Sequence, residues 1–215
     1  MIMNKNEKFV ITINRELGSG GRTVGLKLAE KLGVRFYDKA VIKGIEEKFN
    51  LNTEEIEKLK GKKQNWWSDL KRVVSVGGGI MGVPYYSVSE GEVTVKTTTD
   101  EMFRTETQIL KGIAEEESCV LAGRSGFFVF RDHPNHLSIL IQASMESRIK
   151  RLMGKQNISE EEARKTINKV DEMRENYVNR YTGTSRYDAR NYDIVLRADG
   201  KTEDELVDII MQYIG

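Results

Sequence analysis

A single cysteine, Cys119, leaves nothing for a thiol to pair with, so neither a disulfide framework nor a cysteine zinc site can be built. The residue reads instead as a small core side chain. There are only two histidines, His133 and His136, on either side of Pro134. Alone they make a poor metal site, and their place before a strand points to the surface. No apolar run approaches the roughly 18 residues that a membrane span needs. Met1 to Lys8 is polar and lacks the apolar stretch of a signal peptide. Net charge is almost absent: 34 Lys and Arg stand against 33 Asp and Glu, a balance of +1. That argues against nucleic-acid binding through a large overall positive charge, while a local basic cluster stays open. Internal repeats and low-complexity tracts are missing too. What remains is 39% hydrophobic and 31% charged residues in 215. A cytoplasmic protein of one domain is expected, an enzyme or small-ligand binder with no membrane or nucleic-acid partner, as monomer or homodimer.

The pattern along the chain is strand, helix, strand, repeated. Phe9 to Ile13 (FVITI) is a β-branched apolar run and reads as a buried strand. A loop, Asn14 to Gly21 (NRELGSGG), follows it. Arg22 to Leu32 then sets Val24, Leu28 and Leu32 four apart on one helical face, and Gly33 can end that helix. Val34 to Tyr37 is a second strand, closing on Asp38. Ala40 to Lys60 is helical, with Asn52 or Thr53 as a cap inside it. Residues 61–99, with Trp66-Trp67, Gly77 to Gly79, Pro84 and Tyr85-Tyr86, read as an insertion or mobile acceptor-side segment. Asp100 to Glu116 is a helix, and Ser118 to Ala122 and Leu137 to Gln142 are strands. Met145 to Tyr181 forms two helices broken near Asn157-Ile158-Ser159, where Ser159 and Glu162 have capping-box spacing. Tyr192 to Leu196 is the last strand and Thr202 to Tyr213 the last helix. This order predicts an α/β protein with a parallel sheet.

A phosphate site on a helix N-terminus needs converging backbone N–H groups, glycine to let the backbone approach, and a cation. Gly18-Ser19-Gly20-Gly21-Arg22-Thr23 offers all three between a strand and a helix. Gly21-Arg22-Thr23 fits the end of the pattern G-x-x-x-x-G-K-[ST], with Arg22 in place of lysine. Arg22 is then expected to reach the β- and γ-phosphates and Thr23 to offer its hydroxyl to Mg²⁺. Glu16 stands where the first glycine belongs, and its carboxylate must turn away from the phosphates or reach a metal. The rival is the dinucleotide pattern G-x-G-x-x-G: Gly18 and Gly20 fit, Thr23 replaces the third glycine, and Asp38 follows where a ribose-binding acid would sit. A plain glycine turn is the third reading. Farther along, Arg124 follows a buried strand through Gly123 and is expected at the carboxyl edge of the sheet, where α/β ligands bind.

The string ITINRELGSGGRTVGLKLAEKLGVRFYDKAVI resembles the opening of the cytidylate kinase-like proteins, relatives of the nucleoside monophosphate kinases. The resemblance continues at Val120-Leu121-Ala122-Gly123-Arg124, at Ser138 to Gln142 with Ala143 to Arg148 after it, and at Tyr192 to Leu196. It implies a three-layer P-loop fold: a five-stranded parallel sheet flanked by helices, a helical acceptor-binding insertion, and a lid over about residues 145–190. It also implies transfer of the γ-phosphoryl group of ATP to a nucleoside monophosphate, with Mg²⁺. Such chemistry is mostly positioning and charge neutralisation, which suits a site built from arginines.

Carried over residue by residue, the resemblance assigns Gly18, Ser19, Gly20, Gly21, Arg22 and Thr23 to the donor phosphates. Asp38, Lys43, Arg104 and Arg124 fall to the acceptor, and Arg148, with Arg151 three residues on, to adenine or phosphate. Asp171 and Arg174 match a D-x-x-R of the lid, whose arginine closes on the transferring group. Arg22, Arg124 and Arg174 are the implied catalytic residues, and Arg180 and Arg186 are weaker candidates. The family's Gly-Arg-Asp becomes Gly123-Arg124-Ser125 here, so the base-reading acid is missing. Each residue also has a plainer reading, such as a strand-end acid, a surface lysine or a salt-bridged helix face. Two alternatives remain: a nucleotide-binding regulatory protein without kinase activity, and an NAD(P)-dependent oxidoreductase.

Overall fold

The computed structural model describes residues 3–39, 42, 52, 54, 56 and 100–215. Nearly all of the expected helix over residues 40–60, Lys43 included, lies outside the described residues, as does the whole 61–99 segment with Trp66-Trp67, Gly77, Gly78, Gly79 and Tyr85-Tyr86.

Strand β1 (Val10–Arg15) is central. It pairs in parallel with β3 (Cys119–Ala122) on one side and β4 (His136–Gln142) on the other. Strand β2 (Arg35–Asp38) lies outside β3, and β5 (Ile194–Arg197) outside β4, both parallel. The order is β2-β3-β1-β4-β5, five parallel strands flanked by helices as expected. A dinucleotide-binding sheet sets its first two strands side by side. Here β3 lies between them, which removes the oxidoreductase reading.

Parallel strands must be joined by crossovers. Helix α1 (Gly21–Leu32) links β1 to β2, and α2 (Asp100–Glu116) leads into β3. The short α3 (Gly126–Val129) follows β3. Helices α4 (Met145–Gln156) and α5 (Glu160–Thr182) lie between β4 and β5, and α6 (Glu203–Ile214) closes the fold. The expected break between α4 and α5 is there, and Ser159 and Glu162 form the reciprocal capping box. The same device, Thr202 with Glu205, starts α6.

Both sheet faces are buried, which is why β1 reads as an unbroken apolar run. Ile11 and Ile13 of β1 and Ile139 and Ile141 of β4 pack against Val24 and Leu28 of α1 and Leu206 and Ile210 of α6. Val10, Cys119 and Leu121 face the other way, against Ile109, Leu110 and Ile113 of α2. Cys119 is a core residue, and burial pushes its thiol pKa up, so it has no thiolate character near neutral pH. A third cluster, Leu17 with Ile149, Leu152, Ala163, Ile167 and Val170, fastens α4 and α5 to the loop after β1. The connections after β1 and after β4 leave in opposite directions, so their carboxyl ends open a crevice at a topological switch point.

His136 departs from expectation: it opens β4 rather than ending a surface loop. Its Nε2 lies 2.8 Å from Thr12 Oγ1, and its ring centroid 6.0 Å from that of Phe130. Burial dominates its titration and lowers its pKa from 6.5 to about 4. The folded chain thus keeps His136 neutral, while the unfolded chain protonates it near pH 6.5. This contribution to stability is full above pH 6.5 and is lost as pH falls toward 4, by up to about 3 kcal/mol. His136→Gln is expected to lose less stability than the wild type between pH 7.5 and pH 4.5 in urea unfolding. Equal losses would remove His136 as the cause.

Candidate functional site

The loop after β1 sits at the switch point, and its shape follows from two glycines. Gly18 and Gly20 both have φ of +82°, a left-handed backbone that glycine adopts without steric cost. A Cβ on Gly18 would lie 2.8 Å from the carbonyl oxygen of Arg148, so α4 packs directly on the loop. Ser19 is buried, and its hydroxyl donates to Glu16 O at 2.9 Å, tightening the turn. Helix α1 then starts at Gly21 with no acidic residue in its first turn and no side-chain cap from its N-cap residue, Gly20, while Ser19 Oγ accepts from Gly21 N at 3.4 Å. The N-terminus of this 12-residue helix carries the partial positive charge that favours an anion. The Arg151 guanidinium stands over Gly20, 3.1 Å from where a Cβ would be, and pairs with Glu203.

Glu16 turns aside. Its Oε2 accepts from Ala143 N at 3.0 Å, and its Oε1 lies 3.5 Å from Arg148 Nη1. The acid in the first-glycine position therefore stitches the end of β1 to the end of β4. Arg148 is buried, and its Nε donates to Leu17 O at 2.8 Å. Its guanidinium is paired with Glu16 and Asp171. Expected at the nucleotide, it stands behind the loop, with Arg151 beside the glycines.

Arg22 and Asp38 meet, with Nε 2.6 Å from Oδ2, and the Arg22 guanidinium lies 5.8 Å from the Phe36 ring. An ion pair thus joins the first turn of α1 to the end of β2. Thr23 is half-buried in the same turn.

Arg124 lies at the carboxyl end of β3 in an unusual stretch. Gly123, Arg124 and Ser125 have φ of +83°, +55° and +52°. Two successive non-glycine residues in this region cost about 1 kcal/mol or more each. The Arg124 guanidinium pairs with the buried Glu106 of α2 and lies 5.0 Å from the Tyr177 ring of α5. The Tyr177 hydroxyl donates to Glu106 Oε2 at 3.1 Å. Three elements thus converge on one guanidinium. Ser125, in the place of the family's base-reading acid, is buried, and its hydroxyl has no hydrogen-bond partner among the described residues. Arg15 connects the two halves of the site. Its side chain passes against Gly21, and its Nη1 reaches Gly123, where a Cβ would come within 2.3 Å.

Asp171 and Arg174 pack against the loop. Leu17 N donates to Asp171 Oδ1 at 3.0 Å, and Arg174 Nη1 donates to Arg15 O at 3.3 Å. Arg186 joins them with its side chain wholly buried, bonded to Asp171 and to Arg15 O. Arg104 is not brought in. It is exposed on α2, two residues from the buried Glu106 and so on another face of the helix. Glu106 and Tyr177 were not visible in the sequence, and Arg186 was visible only as a weak candidate. Glu106 and Tyr177 lie in charged, helix-like stretches and Arg186 in the turn after Gly183, and only packing turns them inward.

Among the described residues, no group of three or more His, Cys, Asp or Glu could hold a metal ion. No described helix is long and apolar enough to cross a membrane. A cavity of about 450 Å³ opens elsewhere, between α3, β4 and the 3-10 turn (Ala189–Asn191), lined by residues including Phe127, His136, Ser138, Arg190 and Tyr192. It shares no residue with the loop.

Residues 10–199 match the model of the cytidylate kinase-like family. Among solved structures, an uncharacterized protein from Eubacterium ventriosum is similar at 23% identity and a TM-score of 0.68, over 96% of this chain and 98% of that one. A shikimate kinase from Bacteroides thetaiotaomicron is similar at 16% identity and 0.49, over 95% and 96%. A gluconokinase from Sinorhizobium meliloti is similar at 13% identity and 0.49, over 97% and 93%. None of the curated proteins matches the sequence.

The loop geometry gives a paired test. Gly18 and Gly33 both have positive φ, but a Cβ on Gly33 would meet nothing within 4 Å. Gly33→Ala is expected to cost about 1 kcal/mol from the backbone alone. Gly18→Ala adds a collision with the α4 backbone and is expected to cost about 2–4 kcal/mol in urea unfolding. Equal costs would mean that α4 does not press on the loop.

Proposed function

This chain belongs to the cytidylate kinase-like family, and from that premise we propose that it is a phosphotransferase moving the γ-phosphoryl group of ATP to a small acceptor, first among candidates a nucleoside monophosphate. The observation that carries the reading is the cradle at residues 18–23. Two left-handed glycines and the N-terminus of α1, whose N-cap is a glycine without a capping side chain, stand at the sheet's switch point, with Arg151 above Gly20. Gly18, Ser19, Gly20, Gly21 and Thr23 would hold the donor phosphates through backbone amides and a hydroxyl.

Arg22, in the first turn of α1 with its Nε on Asp38, would turn from that pair to those phosphates. Mg²⁺ would enter on the phosphates, with Thr23 as its protein ligand and waters completing the shell. The acceptor side would be Arg124 and Asp38, with Arg104, exposed on α2, and Lys43, outside the described residues, as further candidates. Arg174, on α5 and hydrogen-bonded to the end of β1, is the candidate for charge stabilisation during transfer. Arg148 would support the loop from behind.

A second reading has its own support. Arg124 is already neutralised by Glu106, and Ser125 is turned into the core, so the acceptor side carries neither a bare cation nor a base-reading acid at these positions. A nucleotide-binding protein without phosphotransfer fits that arrangement.

A coupled ADP-release assay with Mg²⁺-ATP and a panel of nucleoside and deoxynucleoside monophosphates separates the two. Acceptor-dependent turnover is expected, reduced about 10²-fold or more in Arg22→Ala. ATP is also expected to raise the melting temperature, since a ligand of the native state stabilises it by mass action. An ATP shift with no turnover would favour the binding protein. No ATP shift would overturn both.

A further inference from the structure

Each element of the candidate site is tied to a neighbour, but the segment just before Gly18 is held most tightly, by parts distant in sequence. Leu17 has both backbone groups engaged by side chains. Its N–H donates to Asp171 Oδ1 at 3.0 Å, and its carbonyl accepts from Arg148 Nε at 2.8 Å. The carbonyl of Arg15 accepts from both Arg174 and Arg186. Asp171 gathers these donors, with Arg148 on Oδ2, Arg186 Nη1 at 3.3 Å and Arg174 Nη1 at 3.6 Å on Oδ1. Arg186 itself is clamped at both backbone ends. Its N–H donates to Glu175 Oε2 at 3.1 Å, and its carbonyl accepts from the Tyr192 hydroxyl at 2.7 Å.

A guanidinium with no exposed surface is an expensive core residue. An apolar side chain of like volume would pack at least as well there. What such a side chain could not do is bridge a backbone carbonyl of the loop and a carboxylate of α5. An Arg fork reaches two acceptors at fixed geometry, and a lysine ammonium does not.

We propose that Asp171 and Arg186 are positioning residues that set the backbone of residues 15–17, so that the cradle at Gly18 binds nucleotide only while α5 is docked. The inference rests on the reading of residues 18–23 as a nucleotide site. Because linkage is reciprocal, bound nucleotide holds α5 down as α5 holds the loop.

The test uses the full chain, with MgADP as probe in isothermal titration well below the melting temperature, and amide hydrogen exchange at Leu17. Arg186→Met is expected to weaken MgADP binding at least tenfold and to speed exchange at Leu17. Arg186→Lys is expected to recover part of both, and Asp171→Asn, which keeps an acceptor for Leu17 N, to fall between. Arg164→Met, on the exposed face of α5, is expected to match the wild type. A merely structural role would lower the number of binding-competent molecules and leave the dissociation constant of the rest unchanged. That result, or MgADP binding by Arg186→Met within twofold of wild type, would overturn the inference. If Arg186→Met does not fold, Asp171→Asn and Arg186→Lys decide it by the same readings. A wild type that binds no MgADP would overturn the nucleotide-site reading itself, and this one with it. Failure confined to the variants leaves the nucleotide site standing.

Discussion

One buried carboxylate organises the carboxyl edge of this sheet. Asp171 sits on α5, far along the chain from β1, yet it accepts from the amide of Leu17 and from the guanidinium groups of Arg148 and Arg186. Removing one partner from such a cluster leaves the others buried and uncompensated, which typically costs about 3–5 kcal/mol. The loop cannot shift without disturbing α4, α5 and the 183–193 segment together. A glycine-rich loop is the part of a chain most able to wander. Here its first residues are fixed from outside, and its glycines are packed against Arg148, Arg151 and Arg15.

The same economy holds across the site. Arg22 rests on Asp38, Arg124 on Glu106, Arg151 on Glu203, and Arg148 on Glu16 and Asp171. An edge rich in arginine is thus kept near electrical balance, in keeping with an overall charge of +1. Buried like charges would repel if they were bare. Carboxylates hold these guanidinium groups in place, and on the proposed function an incoming phosphate would have to compete with them. That competition favours ligands with several negative oxygens over those with one.

Most of the fold was legible because its causes are local. Runs such as 9–13 and 137–142 are β-branched and apolar, since a parallel strand is buried on both faces. Gly33 and Ser159 end and start helices through their own backbone and side-chain chemistry, and both do so here. Gly18, Gly20 and Arg124 stood out because glycine placement and a strand-glycine-arginine order carry their own mechanism. His136 went the other way: Thr12, distant in sequence, and Phe130, six residues back, pack around a loop-end histidine that becomes the first residue of β4.

The sequence by itself determined the alternation of strands and helices, the cradle and its place after the first strand, since these depend on residues within a turn or two of one another. Tertiary structure alone decided which charges face inward. Glu106 and Tyr177 lie in charged helical stretches where any of several residues could have been the buried one, and Arg186 lies in a polar turn that reads as surface. The strand order that separates β1 from β2 was likewise beyond local reading, and so was the partner to which Glu16 turns, the amide of Ala143. A buried ion pair is specified by two positions meeting in space, and the chain between them holds no periodicity that marks either one.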